Sequence, residues 1–242
     1  MGLLLRDVAV SSSQLLAACF TALVCLMPVT FYLCWLASVN KKSRPTVVSG
    51  RWDFALVLAA LSGFLLVGGA LLLTLVQSDS RSVLRGNFEQ VREGWGQNTG
   101  SWLFIVIGYF LLVIGAAALT LTNRTRWLSI YNVDLVAAER SIAAALERSH
   151  ILNATRYGNR WAHGPGILDL VPFRGLSHIT VRLLSESAET RAEIERHLRD
   201  ELLAVGPADN AAGPCLGTLA GAGVLLNFCL VGMSVYVLFF FR

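Results

Sequence analysis

Four histidines, His150, His163, His178 and His197, are the residues best placed by type to bind a metal or move a proton near neutral pH. A metal centre would need two or three of them to converge with a carboxylate such as Asp169 or Glu186. No two are spaced i, i+4 and there is no HExxH. His163 precedes Gly164-Pro165-Gly166 and reads as a turn residue; His197 lies beside an apolar stripe and reads as solvated. The five cysteines, Cys19, Cys25, Cys34, Cys215 and Cys229, fall in or beside apolar runs, where they act as small packing residues rather than as a disulfide or zinc framework. Phosphate-binding loops of the GxxxxGK[ST] and GxGxxG types and the GxSxG nucleophile elbow are absent. The reading therefore assigns no catalytic, cofactor-binding or metal-ligating residue.

The remaining charged cluster is Arg156, Arg160 and Arg174, with Trp161. If 151–162 is a single strand, alternation puts Arg156 and Arg160 on one face and Tyr157 and Trp161 on the other. Such a face could hold a phosphate or a partner's carboxylates, or simply be solvated over an aromatic core face. The basic residues elsewhere are scattered and not interleaved with aromatics, which argues against nucleic acid as a partner.

The elements that must position these residues follow from composition. Apolar residues make up 55% of the 242 and charged residues 15%, well below the charged share of about 25% in a soluble domain. Residues 15–37, 54–76, 102–122 and 215–241 contain no Asp, Glu, Lys, Arg or His, and each reaches the roughly 20 residues needed to cross a bilayer as a helix. Leu16-Ala17-Ala18-Cys19 resembles a lipoprotein cleavage box, but Asp7 and the Ser11-Ser12-Ser13-Gln14 interruption favour an uncleaved first helix.

The expected fold is an α-helical multi-pass membrane protein with four transmembrane helices and a small α+β domain between the third and fourth. The N-terminal membrane region is 1–122, the soluble insert with its linker 123–214, and the fourth helix 215–242. In the insert, Trp127 to Val133 reads as a strand, Asp134 as an N-cap and Leu135 to about His150 as a helix. Residues 151–162, 167–171 and 178–184 read as strands, and a second helix with the stripe Ile194, Leu198, Leu202 ends near Gly206. The order is β-α-β-β-β-α, with both helices on one face of an antiparallel sheet. The insert carries eleven acidic and eleven basic residues, so it is no polybasic arm. A short helix at 80–91 and a break at Gly94-Trp95-Gly96 are expected in the second loop.

Small residues suggest how the helices meet. Gly213, Gly217 and Gly221 form a repeated small-xxx-small ridge, and Ala59 with Gly63 form a shorter one. Asn227, the most polar residue deep in an apolar run, is expected to hydrogen-bond to a neighbouring helix, and Pro28 to kink the first. Nine basic residues flank one side of the runs and five the other, which places both chain ends outside and the insert in the cytoplasm of a cell (inner) membrane. The best-supported role is a non-catalytic integral membrane subunit or scaffold in the lipid bilayer, whose insert docks another membrane subunit or a second copy. The alternatives are an oligomeric transporter or channel component and, less favoured, an enzyme acting at the membrane surface. A pump needs ionisable or strongly polar residues inside the membrane, and the four runs offer few.

Overall fold

The computed structural model describes residues 12–42, 44–76, 99–151, 154–163, 166–173, 177–184, 187–206 and 212–240. Among them four helices are long and apolar enough to cross a membrane, and six strands form one antiparallel sheet. The expected helix at 80–91, the break at Gly94-Trp95-Gly96, the Gly164-Pro165 turn, most of the linker after Gly206, and Arg174 lie outside the described residues.

The long helices are α1 (Ser12–Asn40), α2 (Gly50–Val76), α3 (Thr99–Asn123) and α6 (Ala212–Phe240). The chain divides into two compact units. The first takes α1 up to Phe31, α2 from Leu58, α3 up to Ala118 and α6 from Gly221. Its helices leave large apolar side chains uncovered, among them Phe104, Leu112 and Phe228. Polar ties among the described residues include the Tyr109 hydroxyl, which donates to the Leu65 carbonyl at 2.9 Å, and the Asn227 amide, which donates to Thr30.

The second unit holds Tyr32–Val57 and Leu119–Ala220. Its strands are β1 (Thr46–Ser49), β2 (Trp127–Tyr131), β3 (Thr155–Tyr157), β4 (Arg160–His163), β5 (Gly166–Phe173) and β6 (His178–Leu184), in the spatial order β1-β2-β6-β5-β4-β3. Two helices, α4 (Leu135–Arg148) and α5 (Ala188–Leu203), cover one face. Alternation selects that face: Leu128 and Ile130, Leu168 and Leu170, and Ile179, Val181 and Leu183 are all buried. They meet Ala138, Ile142, Ala145 and Leu146 of α4 and Ile194, Leu198 and Leu202 of α5, which recur at helical spacing. Both helices start on side-chain caps. Asp134 accepts from the Val136 N–H, and Ser187 from the Thr190 N–H. Arg148 and Glu201 pair across the helices at 2.8 Å.

Two features depart from the β-α-β-β-β-α expectation. The stretch 151–162 is not one strand. It folds back at Gly158-Asn159, so that β3 and β4 pair with Tyr157 opposite Arg160. Gly158 has φ +61°, the left-handed conformation a two-residue hairpin turn demands and glycine tolerates. The second departure is β1, which comes from the loop between the first two long helices and pairs with β2, Val47 opposite Ile130. Without it β2 would be an open edge over the core. The sheet is thus built from two segments separated by two apolar helices, and the α/β domain is not closed within the insert.

The passage from β1 into α2 has no slack. A Cβ on Gly50 would stand 2.6 Å from the Trp127 Cβ and 2.9 Å from its carbonyl oxygen. Gly50→Val should therefore lower the stability of the detergent-solubilised chain by about 1–3 kcal/mol, read as thermal midpoint. Gly206, whose Cβ direction is open, should tolerate valine within about 0.5 kcal/mol.

Candidate functional site

The most distinctive polar arrangement lies on the sheet face opposite α4 and α5. Asp53, in the first turn of α2, is 7% exposed. The Ser129 hydroxyl donates to its Oδ2 at 2.6 Å and the Tyr131 hydroxyl to its Oδ1 at 2.5 Å. Strand alternation presents both donors from β2 on the same side. The first N–H groups of a helix have no partner within it, so the α2 N-terminus adds partial positive charge where the carboxylate sits. Two hydroxyls and a helix end thus replace the water that burial removes.

Around this carboxylate the walls are aromatic. The His178 ring stacks on Tyr131 at 4.4 Å between centroids, and Trp35 meets Tyr131 edge-on at 5.8 Å. The end of α1 and the start of α6, through Leu36, Ala37, Leu216 and Ala220, close over Tyr131. Asn132 follows at φ 60° and donates its side-chain amide to the Lys42 carbonyl at 2.6 Å, fixing the loop before β1.

Burial raises the Tyr131 phenol well above its ordinary pKa, and the hydrogen bond to Asp53 and the Asp53 charge add to it. Burial lowers His178 below its ordinary value, partly offset by the Asp53 charge. Near neutral pH the phenol keeps its proton and the imidazole is neutral. Its Nε2 is buried without a partner among the described residues. The protonated phenol and the Ser129 hydroxyl hold the Asp53 carboxylate, and the neutral imidazole stacks on the phenol, so that the hydrogen bonds tie α2 to β2.

The arginines singled out by sequence are not one site. Because β3 and β4 are separate strands, Arg156 lies opposite Trp161 and Arg160 opposite Tyr157, so Arg156 and Arg160 are on different faces, contrary to the single-strand expectation. Arg156 donates to Glu139 of α4 at 2.5 Å and its guanidinium stands 5.8 Å from the Trp161 ring centre. Arg160 lies 3.6 Å from Asp169 on the opposite face, and Arg174 is outside the described residues. His150 ends α4 at φ 58°, and His197 stands 3.9 Å from Glu193. No three His, Cys, Asp or Glu side chains converge among the described residues.

Helix packing departs from the expected small-residue ridges at Gly221 and Ala59, while Gly63 and Asn227 do meet a neighbouring helix. Gly221 faces open space, and Ala59 is exposed while Ala60 is buried. Gly213 and Gly217 look onto the Asn40 carbonyl and the Lys41 side chain at ordinary contact distance. The close approaches are at Gly223 and Gly63. A Cβ on Gly223 would stand 2.8 Å from the Thr30 Oγ1, and Asn227, one turn on, donates to that same oxygen at 2.9 Å. At Gly63 a Cβ would fall 2.0 Å from the Val24 carbonyl oxygen. That oxygen is four residues before Pro28, which has no N–H to offer it. The proline and the glycine therefore act together: one frees a carbonyl and the other lets a backbone come up against it.

No family model matches the chain, and neither a curated protein nor a solved structure matches it. The site must be read from its own geometry.

Sequence reasoning missed Asp53, Ser129, Tyr131 and the stacking of His178. The available signals were small: an acid one residue ahead of an uncharged run, and Thr46-Val47-Val48-Ser49, a β-branched run after Pro45.

Asp53→Ala would strand two buried hydroxyls and should destabilise the chain by on the order of 3 kcal/mol; Asp53→Ala with Ser129→Ala and Tyr131→Phe should recover part of it, both read as thermal midpoints. A base whose pKa is lower in the fold than the ordinary 6.5 contributes stability above that value and loses it as pH falls. The midpoint should therefore drop between about pH 7 and pH 5, and His178→Gln should reduce that slope. For the helices, Gly223→Val should destabilise by about 1–3 kcal/mol while Gly221→Val stays near wild type, the reverse of what the i, i+4 ridge implies.

Proposed function

We propose that the protein is a multi-pass integral membrane protein acting as a non-catalytic subunit or scaffold, with its α/β unit in the cytoplasm, where it docks a partner subunit or a second copy. The observation that carries this reading is the two-segment sheet. Strand β1 and Asp53 both come from the short connection between α1 and α2, and both bond to β2. A domain tethered only through its two ends would be free to reorient. One that takes a strand and a buried carboxylate from the connection between two long helices is built around that connection, which supports a scaffold role. The uncovered apolar surface of the long helices supports a lipid environment, and the excess of basic residues beside the α1–α2 connection and the insert supports the cytoplasmic side.

The test combines orientation and assembly. In a chain with the native cysteines replaced, Ser149→Cys should resist an impermeant thiol reagent in intact cells while Ser82→Cys reacts. The solubilised wild-type chain should run as a stoichiometric complex with a foreign subunit or with itself. The inverse labelling pattern would overturn the orientation, and a lone monomer at native expression levels would overturn the scaffold role.

A further inference from the structure

The sheet has a second face, whose rows are set by the strand register. One row is Thr46, Tyr131, His178, Phe173; the next is Val48, Ser129, Thr180, Val171. Then come Trp127, Arg182, Asp169, Arg160, Tyr157, and finally Leu184 with Ile167. Where an antiparallel sheet turns one face to water, that face is ordinarily polar. Here it is not. Phe173 is 57% exposed and Tyr157 71%, and Val171, Ile167 and Leu184 are also exposed.

The two halves of this face differ in what covers them. Over β1 and β2 lie the end of α1, the start of α6 and Asp53 of α2, all belonging to long apolar helices. Over β5, β4 and β3 nothing among the described residues is packed. The bare half continues the covered half on one sheet, so it faces the same side as the helix ends. Cations stand on it and beside it. Arg160, on the bare half, is exposed and lies 3.6 Å from Asp169, and on the adjoining β6 Arg182 lies over the Trp127 ring at 4.2 Å with its Nε buried and unpartnered among the described residues. Arg124 stands 4.6 Å from the same ring. Asp169 is the one acid in these rows. Aliphatic and aromatic side chains with arginines between them suit the head-group layer of an anionic bilayer, where aromatic rings and snorkelling cations are both favoured.

We infer that the open half of this sheet face, Phe173, Val171, Ile167, Leu184 and Tyr157 with Arg160, rests on the membrane surface and takes anionic lipid head groups. The inference rests on the membrane reading above. On this inference α4 and α5, on the opposite sheet face, are left for a partner.

The test uses the full-length chain in vesicles of phosphatidylcholine and phosphatidylglycerol, with the photo-crosslinker benzoylphenylalanine placed singly at Phe173, Tyr157, Leu203 or Phe228. Leu203 is an exposed position on α5, and Phe228 an exposed position on α6. After irradiation, mass spectrometry should find lipid adducts at Phe173, Tyr157 and Phe228 and none at Leu203. Adding Arg160→Glu should reduce the phosphatidylglycerol share of the adducts at Tyr157. Adducts at Phe228 but not at Phe173 or Tyr157 would overturn the inference alone, and loss of the Phe228 adduct as well would overturn the membrane reading. Crosslinks from Phe173 to a second copy or another protein would make this face a protein interface and overturn it too. An unchanged phosphatidylglycerol share would overturn the preference for anionic lipid.

Discussion

A carboxylate at the start of an apolar helix must be given hydrogen bonds or be left in water. Asp53 is given them by β2: Ser129 and Tyr131 supply one each, and the α2 N-terminus supplies partial positive charge. Much else follows from this need. Both hydroxyls must project from the same side of β2, which commits Leu128 and Ile130 to the other side and so to the core under α4 and α5. The connection that delivers Asp53 must run alongside β2, and there it becomes β1. Burial of Tyr131 then requires a lid, provided by the end of α1 and the start of α6.

One sheet thus serves two environments. Its helix-covered face is an ordinary aliphatic core. Its other face changes character along its width, from a buried polar tie under helix ends to exposed apolar rows at β5 and β3. The same alternation that builds the core produces this second surface: β5 is apolar at both parities apart from Asp169, a pattern expected of a strand covered on both sides, whereas β6 turns His178, Thr180 and Arg182 to the second face. The salt links sort by face in the same way, Arg156 to Glu139 on the helix side and Arg160 to Asp169 on the other.

Packing among the long helices shows why small residues mark opportunity rather than contact. Residues four apart on a helix drift by about 40° per step, so the ridge Gly213, Gly217, Gly221 turns away from α1 by its last member. The residues that stay in contact alternate steps of three and four: Gly213, Leu216, Ala220, Gly223, Asn227. Thr30 and Asn227 set which glycine is pressed, because their hydrogen bond holds the two backbones together beside Gly223.

Uncharged run length determined the long apolar helices, and periodicity and residue type determined the stripes of α4 and α5, the Asp134 cap and the strand at 178–184, because each depends on residues near one another in sequence. Small-residue content likewise marked α2 and α6 as capable of close approach. Tertiary structure decided the rest. Whether 151–162 is one strand or a hairpin turned on a single left-handed glycine, and that choice separated Arg156 from Arg160. Asp53 reads from sequence as a residue just outside a helix, and it became the centre of the domain only when β2, 76 positions away from it at Ser129, came alongside. Four β-branched or hydroxyl residues at 46–49 are too few to claim a strand until a partner edge exists. Hydrogen bonds between distant segments leave no periodic trace, so the tie that holds the domain together could be found only where the chain meets itself.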